Sequence, residues 1–233
     1  MPTDLPRLAR RSFVLSGAGA VMVGLLVSAT LGAGAPAVLL AALVPGVHAL
    51  LALPHVHAHP HDRLGPAHLV TLTRSLPVAG LAACIAAPEV PAELISLLAG
   101  TTMILDGVDG RVARHTGMAS DFGAAVDAEL DAVLMAALTG VLVSSGHTGP
   151  WVLLAGAARF AYIGAGRIWP WLTAPTPPSL HRKLCFGVAA WCLVAAPLLD
   201  PQGAEALGLV GTLTILASFG MDVEWLHKNR RPA

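Results

Sequence analysis

The sequence predicts an all-α, polytopic integral membrane protein, and three observations carry that expectation. Apolar residues make up 55% of the 233 residues while 12% are charged, too little polar surface to cover a water-soluble globule of this size. Apolar runs long enough to cross the ~30 Å hydrocarbon core at ~1.5 Å per residue recur along the whole chain. Lys and Arg are distributed unevenly between the gaps that separate those runs.

Eight segments follow, at 13–31, 36–53, 69–88, 91–108, 121–145, 150–168, 185–200 and 205–221. Arg10 and Arg11 precede the first, and Gly32 to Ala35 separates it from the second. The second stops at Pro54, where H-V-H-A-H-P-H begins. Proline or glycine marks the gaps at Pro88 to Pro91, Ser145 to Pro150 and Asp200 to Ala204. The rigid A-P-T-P-P-S run from Ala174 to Ser179 joins the sixth and seventh segments.

The positive-inside rule orients these segments. Arg63, Arg111, Arg114, Arg182 and Lys183 occupy alternate gaps, and Arg7, Arg10, Arg11, Lys228, Arg230 and Arg231 lie on the tails, whereas the four other gaps contain no Lys or Arg. Both termini are therefore expected on the cytoplasmic side of the cell membrane. The first segment also has features of a signal peptide, with Ala33 and Ala35 as small residues near its end, but its apolar run exceeds the usual ~7–15 residues. Cleavage after Ala35 would leave every later orientation unchanged.

Cys84, Cys185 and Cys192 form no C-x-x-C pair and lie in apolar segments, so they are read as packing residues. His55, His57, His59 and His61 could bind a transition metal, but no carboxylate or cysteine stands at a familiar ligand spacing. A loop touching lipid headgroups is the reading adopted. Trp151, Trp169, Trp171 and Trp225 flank segment ends, as interfacial anchors do.

One stretch breaks the apolar pattern. Between Leu105 and Val133 the chain reads L-D-G-V-D-G-R-V-A-R-H-T-G-M-A-S-D-F-G-A-A-V-D-A-E-L-D-A-V, across the cytoplasmic gap between the fourth and fifth segments. Ionised residues in or beside a membrane segment cost free energy unless paired, so the cluster calls for a functional reading. At ~100° per residue, Asp106 and Asp109 lie ~60° apart on one helix, and Asp127 and Asp131 ~40° apart on the next. The two pairs can converge. Glu129 points ~160° away from both members of its pair and Asp121 sits at the helix end, so both are read as solvated or headgroup residues.

Four converging carboxylates resist ionisation unless cations neutralise them. Oxygen-only ligands suit two hard divalent ions, Mg²⁺ or Mn²⁺, and those ions favour phosphate substrates. Gly107, Gly110, Ala113 and Gly123 lack bulk where helices and a ligand would approach, and Arg114 could hold a diphosphate in bidentate fashion. Catalysis, cation or proton transport and a structural ion network all remain compatible with the charges alone.

As a pattern the stretch is D-x-x-D-G-x-x-A-R, eight residues, then G-x-x-x-D-x-x-x-D, filled by Asp106, Asp109, Gly110, Ala113, Arg114, Gly123, Asp127 and Asp131. It resembles the signature of the class I CDP-alcohol phosphatidyltransferase family at every fixed position. P-A-H-L-V-T-L-T-R is similar to the family's P-N-x-x-T-x-x-R entry, aligning Thr71 and Arg74, with His68 in place of Asn and Pro66 one residue early. The resemblance runs from about Pro66 to the carboxyl terminus and implies a six-helix transferase core. Residues 63–233 are accordingly expected to form the transferase domain and residues 1–62 a two-helix extension ending in the His-rich loop.

The resemblance implies transfer of a phosphatidyl group from CDP-diacylglycerol, or a related CDP-alcohol, to a small alcohol with release of CMP, in phospholipid biosynthesis. It implies that Asp106 and Asp127 bridge two metal ions, that Asp109 completes one site, and that Asp131 ligates the other and acts as general base. Gly110, Ala113, Arg114, Ser120, Gly123 and Thr71 fall on the CDP-lipid side. Arg159, Arg182 and Lys183 are candidates for binding an acceptor phosphate, which favours glycerol phosphate or inositol phosphate. Membrane lipids and a homodimeric partner are expected, and no nucleic acid. A transporter using the Asp cluster as an ion site, or a catalytically silent relative, are the alternatives.

Overall fold

The computed structural model describes residues 5–59, 64–116, 120–176 and 180–229, with the side chains at 58, 66, 67, 109, 110 and 112–114 outside the description. Eight α-helices account for most of these residues, with no strand among them: α1 (Leu5–Leu31), α2 (Gly34–Ala52), α3 (Pro66–Cys84), α4 (Ala92–His115), α5 (Asp121–Ser144), α6 (Leu153–Ile168), α7 (Leu180–Ala195) and α8 (Pro201–Asn229). Short 3₁₀ turns at Leu53–Ala58, Pro150–Val152, Pro170–Thr173 and Ala196–Leu198 extend or connect them.

The helix ends follow local chemistry. Gly32 and Gly34 adopt φ of 67° and 66°, a left-handed conformation that lets the chain reverse between α1 and α2 within two or three residues. Pro66 opens α3, where its missing N–H costs nothing. Ser120 caps α5, its hydroxyl accepting the Gly123 N–H at 3.1 Å. Pro197 lies in the 3₁₀ turn that follows α7, so that helix occupies 180–195 rather than the 185–200 expected. α1 and α8 outrun their apolar segments, beginning at Leu5 and ending at Asn229, because polar residues beyond the hydrocarbon continue a helix whose hydrogen bonds are already propagating.

α1, the stretch Gly34–His57 and α8 are each long and apolar enough to span a bilayer by themselves. On these helices large apolar side chains point outward: Leu15 is 74% exposed, Met22 71% and Leu39 66%. A surface of that kind needs lipid against it.

α5 is the axis of the bundle. Leu130, Leu134, Leu138 and Leu142, one turn apart, are fully buried and face α3 and its neighbours in one continuous core. α5 packs on α2, α3 and α6; α1 packs on α2 and α3; α3 packs on α4; and α7 with α8 closes the other side against α4 and α6. Since lipid is as apolar as leucine, close packing rather than escape from water holds such helices together. Gly24 illustrates this, for a Cβ there would meet the Cα of Val38 at 2.7 Å, so α1 and α2 approach backbone to backbone.

Candidate active site

Four helical positions converge two to three turns inside one end of the bundle, ~10–15 Å from the helix ends at ~1.5 Å per residue. α3 supplies Arg74, α4 supplies Asp106, and α5 supplies Asp127 and Asp131. One oxygen from each of the three carboxylates lies within 4.8 Å of the other two. The side chains of Asp106, Asp127 and Asp131 are 32%, 38% and 19% exposed, so the cluster is accessible to a ligand.

Arg74 sits at the centre. Its side chain is fully buried; Nη2 lies 2.9 Å from Asp106 Oδ1 and 3.0 Å from Asp131 Oδ1, and Nη1 donates to Asp127 Oδ1. A planar fork with fixed N–H directions can serve three acceptors at once, which an ammonium point charge does poorly. Taken by themselves, these three carboxylates and one guanidinium carry a formal charge of minus two. Asp106 Oδ1, though buried, accepts no hydrogen bond among the described residues despite its proximity to Nη2.

That donor set fits a divalent cation on two counts. The ligand atoms are hard carboxylate oxygens, and the formal charge of these four side chains has the sign that a divalent ion neutralises. Asp106 of one expected pair is thus brought together with Asp127 and Asp131 of the other. The side chain of Asp109 lies outside the described residues, as do those of Gly110, Ala113 and Arg114.

The other expected site residues fall into three places. Thr71 is buried on α3, one turn before Arg74. Ser120 and Gly123 form the cap of α5, and the Ser120 hydroxyl also meets His59 Nδ1 at 2.8 Å. Arg159, Arg182 and Lys183 lie on α6 and α7: Arg159 pairs with Glu129, Arg182 donates to Thr176 and lies 3.5 Å from Asp222, and Lys183 is exposed.

Two expectations need correction. Glu129 is not solvated but 3% exposed, and its Oε1 pairs with Arg159 of α6. Facing away from the aspartates turned it toward a neighbouring helix rather than toward water. The His-rich stretch is likewise not simply a headgroup loop: Val56 is buried in a small core with Phe13 and Phe122, and His59 packs edge-on to Phe122 at 5.7 Å. His55 and His57 are exposed, and His61 lies outside the described residues. His68 is also buried, bonded to Ser12 at 3.0 Å and stacked on Phe122 at 5.9 Å.

Sequence reasoning left Arg74 and the Glu129–Arg159 pair out of the ion network. The signal was available, since an isolated Arg or Glu within an apolar segment requires a partner of opposite charge. What was missing was which helices touch.

Fold and site together define a class: a helical integral membrane protein carrying a partly exposed cluster of carboxylates between three of its helices. A family model, CDP-alcohol phosphatidyltransferase, matches residues 64–219, which contain the whole cluster. The chain belongs to the CDP-alcohol phosphatidyltransferase family, whose members transfer substituted phosphate groups from CDP-alcohols in lipid biosynthesis. No curated protein and no solved structure matches the chain significantly.

Proposed function

We propose that this chain transfers the phosphatidyl group of CDP-diacylglycerol to a small alcohol, releasing CMP, with Mg²⁺ or Mn²⁺ held by Asp106, Asp109, Asp127 and Asp131. The observation that carries the reading is the convergence of three carboxylates, with ligand oxygens inside 4.8 Å, in a chain of this family. A pair of divalent ions bound there supplies charge stabilisation on the attacking and leaving oxygens of an in-line displacement.

The chain's own residues divide the remaining work. Asp131, one turn beyond Asp127 and the least exposed of the three described carboxylates, takes the acceptor hydroxyl's proton as its oxygen attacks the lipid-side phosphorus. Gly110 and Arg114 receive the diphosphate, and Thr71 the nucleotide side. The cleft opens at headgroup level, so the acyl chains stay in lipid. Arg159, Arg182 and Lys183 are the candidate cations for an acceptor phosphate; Arg159 also pairs with Glu129 and Arg182 with Thr176 and Asp222, whereas Lys183, near the start of α7, is exposed. A phosphorylated polyol, glycerol phosphate or inositol phosphate, is the acceptor proposed.

Purified protein in detergent, given CDP-diacylglycerol, Mg²⁺ or Mn²⁺ and a panel of alcohols, is expected to release CMP in an acceptor-dependent and metal-dependent way, greatest with a phosphorylated polyol. Release with free serine or choline instead would overturn the acceptor assignment, and silence across the panel the transfer itself. In this reading the site and both termini face the cytoplasm, as the distribution of Lys and Arg favours. Cysteines introduced at Arg7 or Lys228 of inside-out vesicles should react with an impermeant maleimide, and protection there would reverse the orientation.

A further inference from the structure

The family match begins at residue 64, so α1, α2 and the turn after them lie outside the matched residues. Two of their buried polar contacts with the rest of the chain land beside the ion cluster. Ser16 of α1 shares a 2.6 Å hydrogen bond with Ser75 of α3, the residue next to Arg74. His48 of α2 lies 2.7 Å from the carbonyl oxygen of Val126 of α5, the residue next to Asp127. Both contacts are buried, with His48 and Ser75 at 0% exposure and Ser16 at 8%.

A carbonyl can only accept, so His48 Nε2 carries the hydrogen and donates it. That carbonyl already belongs to the helix ladder, and a second donor on its other lone pair fixes the rotation and height of α5 at this turn. Phe13 presses edge-on to the His48 ring at 5.1 Å, and the small core of Phe13, Val56, Leu72, Phe122 and Val126 seals the junction. The two arms hold α3 and α5 at the turns that face each other across the ion cluster.

We propose that the amino-terminal helix pair is a brace for the carboxylate site, in which His48 is a positioning residue that sets Asp127 and Asp131 against Arg74 and Asp106. The proposal rests on the reading of those carboxylates as a divalent-cation site only for its metal-binding test, and a metal-free test separates the two.

The first test is Mn²⁺ binding to the purified full-length chain, read from loss of the free-ion EPR signal. His48→Leu keeps apolar bulk and removes the donor, and is expected to bind about tenfold more weakly, the size of one buried hydrogen bond. His48→Gln, whose amide N–H reaches the place of Nε2–H, should stay within about threefold of wild type. Leu39→Ala, on the lipid-facing side of α2, should change nothing. Wild-type-like binding by His48→Leu would overturn the brace.

The second test needs no metal. The thermal coupling between Arg74→Met and Asp131→Asn, measured as non-additivity of Tm, should fall to less than half in the His48→Leu background. Unchanged coupling would overturn the brace whether or not the wild type binds Mn²⁺, while failure of the wild type to bind Mn²⁺ with coupling lost would refute the metal reading alone. If His48→Leu does not fold, His48→Asn, whose shorter amide falls short of Val126, takes its place in both tests.

Discussion

Replacing Arg74 by methionine removes a buried guanidinium and leaves three carboxylates whose ligand oxygens lie within 4.8 Å of one another. At an effective dielectric of ~20, each such pair repels by about 3.5 kcal/mol or more at that separation, and three pairs by about 10 kcal/mol before solvent and protonation relieve them. The carboxylates are 19–38% exposed, so that relief is substantial, and the cost should lie at the low end of the range for breaking a buried ion pair, about 3 kcal/mol. For a chain of this length that corresponds to roughly 6–12 °C in Tm.

The measurement is thermal unfolding of metal-free protein in detergent. Two rescues follow from the electrostatic cause. Adding Asp127→Asn to Arg74→Met removes one of the repelling charges and should recover a third to a half of the loss, and millimolar Mn²⁺ should recover more, since a divalent cation replaces the missing positive charge. Arg74→Lys should fall between wild type and methionine, because an ammonium cannot reach three acceptors as a fork does. A loss that neither Asp127→Asn nor Mn²⁺ diminishes would show that Arg74 acts through packing and refute the reasoning.

The other expected outcomes are more local. Asp131→Asn should leave Tm near the wild-type value and lower turnover about 10²–10⁴-fold, the usual worth of a general base, as read from CMP release. Glu129→Gln should do the reverse, lowering Tm by several degrees through loss of a buried charge partner for Arg159 while kcat in the folded fraction stays within about threefold; equal losses of turnover from both variants would contradict the assignment of opposite faces of α5. Ser120→Ala should cost about 1 kcal/mol of stability through the lost cap, checked by thermal unfolding against Ser120→Asn, which keeps a capping oxygen.

Much of this was legible in the residues. The apolar runs pointed to an all-helical membrane chain, because a bilayer imposes a minimum length and tolerates few charges. The spacing of Asp127 and Asp131 put both on one face of α5, because helical periodicity fixes which residues of one helix share a face. Helix ends were less legible: Leu5 and Asn229 continue helices past the hydrocarbon, where hydropathy carries no information about backbone conformation.

The sequence by itself determined the membrane class, the all-helical architecture and the family, and it marked the aspartates of the carboxylate cluster as candidates, all of which depend on composition or on spacing along one chain. Only the tertiary structure decided where the lone charges and imidazoles go. Arg74 lies 32 residues before Asp106 and 53 before Asp127, Glu129 lies 30 before Arg159, and His48 lies 78 before the Val126 carbonyl it bonds. Each of those pairings joins different helices, and periodicity says which way a side chain points but not which helix stands there to receive it.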